Sequence, residues 1–248
     1  MNTIFVHRDG RTDQATSIDR SWLSPAAGVY LWVDLSQPSI PESLVLTDTF
    51  GFHRLSVDDA MRQAQSPKIE AYDGYLFAGV AGSDADIAFF VGPHYLVSVH
   101  WHESKAIADL MDSIRHGGKA FVDGPVAMFH KLLDGTAAGL TAALVTLTHH
   151  VTALERRLRE RSSADLYAEI LNARGDVFAL LQRLNHERNA VDALVRREVV
   201  DISTEMTYRF RDMRDKLVGL ADAAQALEHR LAGVLTAAAG LAGGRRWI

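Results

Sequence analysis

Carboxylates and imidazoles are the chemically capable groups of this chain, because it contains no cysteine to serve as nucleophile, thiolate ligand or disulfide half. Asp58 and Asp59 stand side by side in Ser56-Val57-Asp58-Asp59, and this motif has two readings. In one, Ser56 caps a helix and Asp59 reaches back to it as a capping box at the positive helix end. In the other, paired carboxylates at an exposed helix start supply oxygen ligands to a hard cation. His100 and His102, two apart at a predicted strand end, project to one face. There they are either hydrogen-bonded edge residues or partners on a soft divalent metal such as zinc. His149 and His150 lie about 100° apart on a helix and do not face one ion, and His186-Glu187 lacks the second histidine of a zinc-protease motif. Asp212, in Tyr208-Arg209-Phe210-Arg211-Asp212-Met213, has Arg209 and Lys216 at helical pairing distance and reads as a surface residue. No glycine-rich phosphate loop, nucleophile elbow or kinase signature occurs, so an enzyme is not expected.

The elements that position these groups change character along the chain. Tyr30 to Leu35, Ile69 to Tyr72, Tyr75 to Val80, Ile87 to Val91 and Tyr95 to His100 carry the β-branched and aromatic residues of strands, with Thr3 to Val6 as a further candidate. Asp73-Gly74 predicts a hairpin with a type I′ turn, and Gly92-Pro93 a second turn. Helices are predicted at Pro41 to Phe50, Ser56 to Gln63 and Ser104 to Arg115, which makes this half a sheet with helices packed on it. After Asp123-Gly124-Pro125 the strand signals stop. Leu140, Leu144, Leu147, Val151, Leu154 and Leu158 recur at helical spacing; Ser162 or Ser163 is placed to cap a second helix with Leu166, Ile170, Ala173, Val177, Leu180 and Leu184 on its stripe. A third helix begins near Ser203. Its Met206, Phe210, Met213, Leu217, Leu220, Ala224, Leu227, Leu231 and Val234 alternate steps of four and three, a heptad seam. Such a seam packs lengthwise against other helices, either in an assembly of chains or within one bundle. The fold class is therefore α+β: an N-terminal α/β layered domain with a mixed sheet, residues 1–124, followed by a stalk of three long helices, residues 125–248.

Composition narrows the partners. With 26 basic and 31 acidic residues and no basic stripe rich in aromatics, nucleic acid is not expected. The start, MNTIFVHRDG, reaches charge before an apolar core of a signal peptide could form, so the cytoplasm is the default compartment. Leu231 to Gly244 is uncharged but too short to span a bilayer, and these residues by themselves are expected to be soluble.

Several stretches, taken in order, resemble the CorA family of magnesium channels. They are Trp32-Val33-Asp34-Leu35 with Pro38; Phe52 to Asp59; Pro67 to Phe77; Phe89-Phe90-Val91-Gly92 leading to Tyr95 to His100; and Tyr208 to Asp212. The resemblance covers nearly the whole chain. It implies a cytoplasmic Mg2+-sensing domain of a divalent-cation transporter, a homopentamer whose last long helix leads toward a membrane segment, at the cytoplasmic face of the membrane. It implies Mg2+ as the ion, with Co2+ or Zn2+ as alternatives. Asp59 and Asp212 match carboxylates that family members place on neighbouring subunits to bind a regulatory divalent ion. Asp58 and Asp134, the latter in Leu132-Leu133-Asp134-Gly135, match positions of a nearby second site. Two departures stand out: the Gly-Met-Asn signature and the membrane helices are not in these residues, so they would not conduct ions alone. Arg54 also stands where the family commonly has proline, and Asp58 where it often has glutamate. A zinc transporter of the ZntB type and a natively soluble metal-binding or interaction module are the alternative readings.

Overall fold

The computed structural model describes residues 2–24, 27–62, 67–121, 123–160, 166–196 and 202–244. Seven strands form one mixed sheet: β1 (Asn2–Arg8), β2 (Arg11–Ala15), β3 (Tyr30–Ser36), β4 (Lys68–Tyr72), β5 (Tyr75–Ala81), β6 (Asp86–Val91) and β7 (Tyr95–His100). Their order is β2-β1-β3-β7-β6-β5-β4. Only β3 and β7 pair in parallel, with Asp34 opposite Ser98 and Ser36 opposite His100; the other neighbours are antiparallel. The central strands are buried on both faces because both are covered, which is why β5 and β6 read as nearly unbroken apolar runs rather than alternating ones.

Side-chain alternation assigns the two faces. Leu31, Val33, Leu35, Val97 and Val99 point to one face, where α1 (Ile40–Asp48), α2 (Arg54–Ala60) and the loop between these helices cover them through Leu46, Val57, Ala60 and the loop residue Phe52. Phe52 is the hub of this side, stacked on Phe90 at 4.2 Å between ring centroids and tilted against Tyr75 at 4.6 Å. On the opposite face Phe5 stacks on Trp32, and Phe89 meets Phe129 edge-on at 5.2 Å. Phe129 belongs to α4 (Gly124–Arg159), which also contacts α3 (Lys105–Arg115): a Cβ at Gly135 would lie 2.8 Å from the Cβ of Ala106.

Two compact units divide the chain. The first comprises Met1–Gly139 with His186–Arg214, the second Leu140–Asn185 with Asp215–Ile248. The three long helices contribute to both: α4, α5 (Leu166–Val195) and α6 (Thr204–Gly244), of 36, 30 and 41 residues. The second unit is helical, with Leu154, Ile170, Val177, Leu227 and Leu231 buried at its centre. Ion pairs tie its helices at the surface, Arg157 with Glu169, Arg174 with Glu228 at 3.1 Å and Arg230 with Glu155 at 2.9 Å. By length and hydropathy α4 is the one described helix able to cross a membrane. It also buries Met128, Phe129, Leu132 and Leu133 within the first unit.

Two expectations, on turn type and helix capping, are corrected, and one left open is decided. The type I′ hairpin sits at Asp9-Gly10 between β1 and β2, where both residues have positive φ (53° and 75°); at Asp73-Gly74 only the glycine does. Strand β2 itself was not foreseen, because Arg-Thr-Asp-Gln-Ala is too polar to signal an edge strand. The helix carrying Asp58 and Asp59 starts earlier than the Ser56 motif suggests: His53 is its N-cap, with Nδ1 accepting from the Leu55 N–H at 3.2 Å. Ser56 lies inside the helix and donates to the His53 carbonyl at 2.8 Å. The capping box is instead Ser39 with Glu42, at the start of α1. The α6 seam is buried within the single chain, from Met206 and Phe210 to Leu231 and Val234, with only Leu220 partly exposed. It therefore holds the chain's own helices together and is not a surface awaiting another chain. The proposed caps at Ser162 and Ser163 lie outside the described residues.

Candidate functional site

Asp58 and Asp59 occupy the last turn of α2, the negative end of the helix, where a carboxylate is unfavourable unless a cation answers it. Each has one. Arg54 lies 3.6 Å from Asp58 across one helical turn, on the exposed side. Asp59 is more enclosed: Arg62 approaches to 3.2 Å and Lys68, at the start of β4, donates to its Oδ2 at 2.5 Å. Lys68 also donates to Glu70 at 2.9 Å, and the Tyr72 hydroxyl to the same carboxylate at 3.0 Å. Alternation along β4 puts Lys68, Glu70 and Tyr72 on one face. Burial alone would lower the Lys68 ammonium, but the hydrogen bonds and charges of Asp59 and Glu70 outweigh it and raise its pKa.

Asp134 on α4 and Asp212 on α6 are both exposed and meet electrostatically around His130, one helical turn before Asp134. His130 Nε2 donates to the Arg209 carbonyl at 3.3 Å, and its ring sits edge-on to Phe210 at 5.2 Å. Burial pulls the His130 pKa below the ordinary imidazole value, while the charges of Asp134 and Asp212 act in the opposite direction. Arg209 turns away from Asp212, pairing with Glu205 at 3.2 Å and Asp123 at 3.5 Å.

The four aspartates thus form two pairs in the first unit, Asp58 with Asp59 on α2, and Asp134 with Asp212 flanking His130. Among the described residues, no group of three or more His, Asp or Glu side chains comes together to hold a metal ion. The idea of zinc shared by His100 and His102 is corrected. Both nitrogens of the His100 ring face oxygen acceptors, Asp34 Oδ2 at 3.2 Å and the His102 carbonyl at 2.6 Å, which leaves no lone pair for a metal. Lys68 and His130 escaped the motif search, although strand alternation and the His130–Asp134 spacing of four residues were legible.

A family profile described as CorA-like Mg2+ transporter protein matches residues 27–242. The chain belongs to this family. The putative metal ion transporter YfjQ of Bacillus subtilis (strain 168) is 23% identical over 199 residues. That match covers 78% of this chain and 62% of YfjQ, so the chain spans less than two thirds of its relative's length. The soluble domain of CorA from Methanocaldococcus jannaschii superposes with a TM-score of 0.81 at 16% identity, covering 94% of this chain and 95% of that domain. The ZntB cytoplasmic domain from Vibrio parahaemolyticus RIMD 2210633 gives 0.81 at 12% identity, covering 98% of each chain. The CorA-like architecture, a mixed sheet followed by long helices, is therefore shared with two differently named domains, of CorA and of ZntB. At these identities the likeness is one of fold, and the ion has to be argued from side chains.

Proposed function

We propose that this chain is the cytoplasmic, Mg2+-sensing regulatory part of a CorA-like divalent-cation transporter and performs no covalent chemistry. In the whole protein it forms a homo-oligomer, a pentamer by family resemblance, held at the cytoplasmic face of a membrane by a C-terminal membrane segment. The sensing residues are Asp59 of one subunit and Asp212 of the next, with Asp58 and Asp134 forming the adjacent second site.

The observation that carries this reading is the company these carboxylates keep. Leu55, on α2 beside Asp58 and Asp59, is 62% exposed, and Tyr208, one turn before Asp212 on α6, is 59% exposed. Large apolar groups beside surface carboxylates, Asp58 and Asp212 exposed and Asp59 half-buried, suit a surface that is covered in an assembly and bridged there by a cation. The four candidate ligands are carboxylates, which favour a hard ion. Mg2+ keeps several waters and needs only one or two direct carboxylates, so it suits pairs that are not closed cages. Zn2+ would draw on imidazole, and His100 is occupied elsewhere. At Asp59 the ion competes with Lys68, which keeps binding weak and reversible, as a sensor of an abundant cation requires. Occupancy favours the closed, symmetric assembly, and loss of the ion lets the subunits separate and releases the attached pore.

Limited proteolysis with and without Mg2+ tests this. The unaltered chain gains protection on adding Mg2+; Asp59→Ala with Asp212→Ala loses that gain while its thermal unfolding stays close to the unaltered chain's. Retention of the full Mg2+ effect by the double variant would overturn the assignment.

A further inference from the structure

The function proposed above makes no use of a deeply buried polar cluster in the sheet. Asp34, Ser98 and His100 are 3%, 0% and 4% exposed at the carboxyl ends of the two parallel strands. The Trp32 indole N–H donates to Ser98 Oγ at 3.0 Å, and Ser98 in turn donates to Asp34 Oδ1. The other carboxylate oxygen, Oδ2, faces His100 Nε2, while His100 Nδ1 faces the carbonyl of His102 in the loop that follows β7. An acceptor at each ring nitrogen requires a proton at each. The ring is thus held as an imidazolium on a carboxylate, or equivalently the pair shares one proton between Nε2 and Oδ2.

From this geometry we propose that the Asp34–His100 pair is a proton-operated latch, closing the loop from Trp101 to Ser104 onto the sheet when protonated and releasing it when the proton is lost. Removing the proton leaves one uncompensated negative charge in a dry site, a costly arrangement. The remaining ring proton stays with Asp34, because that carboxylate's other partner is a single hydroxyl. Nδ1 then presents a lone pair to the His102 carbonyl, and the contact between ring and loop turns repulsive. The loop is poised to let go. Among the described residues, Trp101 Nε1 and Ser104 Oγ are buried without a hydrogen-bond partner, so opening to water satisfies both. Ser104 is also the N-cap of α3, whose first N–H, that of Lys105, is held by Asp84 at 2.7 Å and not by the Ser104 side chain.

The surroundings isolate the pair. Asp34 is the charged side chain whose field acts on the ring. On β6 the residue opposite His100 is Ile87. In the loop His102 and Glu103 are exposed, and on α3 Lys105 and Asp109 pair with each other at 2.9 Å. On α4, which covers this face through Phe129, Lys131 donates to the carbonyls of Lys119 and Ala120, and Asp134 is exposed. Burial alone would lower the His100 pKa, but the hydrogen bond and charge of Asp34, together with the His102 carbonyl, raise it. A raised folded pKa means that the latch's stabilisation is complete below the unfolded imidazole value, about 6.5. It is lost as pH rises through the folded value.

The test is hydrogen exchange on the unaltered chain from about pH 6 to 9, corrected for the intrinsic rise of exchange with pH, together with ring nitrogen NMR of His100. The latch predicts both ring nitrogens protonated at the acid end. It also predicts loop and first-turn α3 amides that lose protection by up to about tenfold per pH unit above the pair's pKa, the limit for one proton. Amides of β5 and β6 keep theirs. In His100→Gln, which donates to Asp34 without titrating, loop protection no longer depends on pH; the ring NMR stands on its own if that variant folds poorly. A His100 ring neutral at pH 6, or loop protection that follows intrinsic exchange alone, would overturn the proposal.

Discussion

At Asp59 a carboxylate sits where the end of α2 disfavours it, and the cost is offset by Lys68 and Arg62 rather than by a cap. Under the sensing reading, an incoming Mg2+ must displace the Lys68 ammonium. Lys68→Met should therefore tighten Mg2+ binding at this position, by up to about fivefold, since a partly exposed pair is worth about 0.2–1 kcal/mol. Calorimetric titration checks this, and unchanged or weaker binding would count against Asp59 as a ligand. His130 supplies a reporter at the other pair. Asp134 and Asp212 raise its pKa against the lowering effect of burial, so a cation seated on them removes that help. The His130 titration followed by NMR should move to lower pH on adding Mg2+, and the movement should shrink in Asp212→Asn. Neither role could be inferred from residue type: a lysine at the start of a strand and a histidine inside a helix carry no motif, and their importance comes from what folding brings beside them.

At the scale of elements, the long helices and most strands were legible because their apolar periods are long and consistent. The β5, β6 and β7 runs and the α6 seam name their own structure. Local chemistry misled at two points. Ser56-Val57-Asp58-Asp59 has the spacing of a capping box, yet His53 caps the helix and Ser56 bonds inward, its Oγ 2.8 Å from the Tyr75 hydroxyl. Nothing in the local sequence announces that tertiary partner. Asp9-Gly10 and Asp73-Gly74 each leave two residues between paired strands, yet only at Asp9-Gly10 do both residues take positive φ, and nothing in the dipeptide itself distinguishes the two. The seam carries the clearest energetic contrast. Phe210 is fully buried and Tyr208, two residues earlier, is 59% exposed. Phe210→Ala should cost about 3–5 kcal/mol of unfolding free energy, whereas Tyr208→Ala should stay within about 0.5 kcal/mol in the isolated chain. Denaturant unfolding of both variants at low concentration would show it; equal losses would mean that the burial pattern of α6 is misassigned.

For the whole molecule, the seam's burial inside one chain alters how assembly must work. Helix packing alone does not demand a second copy, because the α6 stripe is already satisfied. Under the proposed function, association has to come from surfaces such as those around Leu55 and Tyr208, where apolar side chains stand beside the candidate carboxylates, and it should depend on a bridging ion. Sedimentation velocity over a concentration series, with and without millimolar Mg2+, tests this most directly. The account predicts a reversible shift to larger species with Mg2+, reversed by chelation and absent in Asp59→Ala with Asp212→Ala. A chain that stays monomeric at high concentration in Mg2+, or that associates equally without it, would contradict the claim.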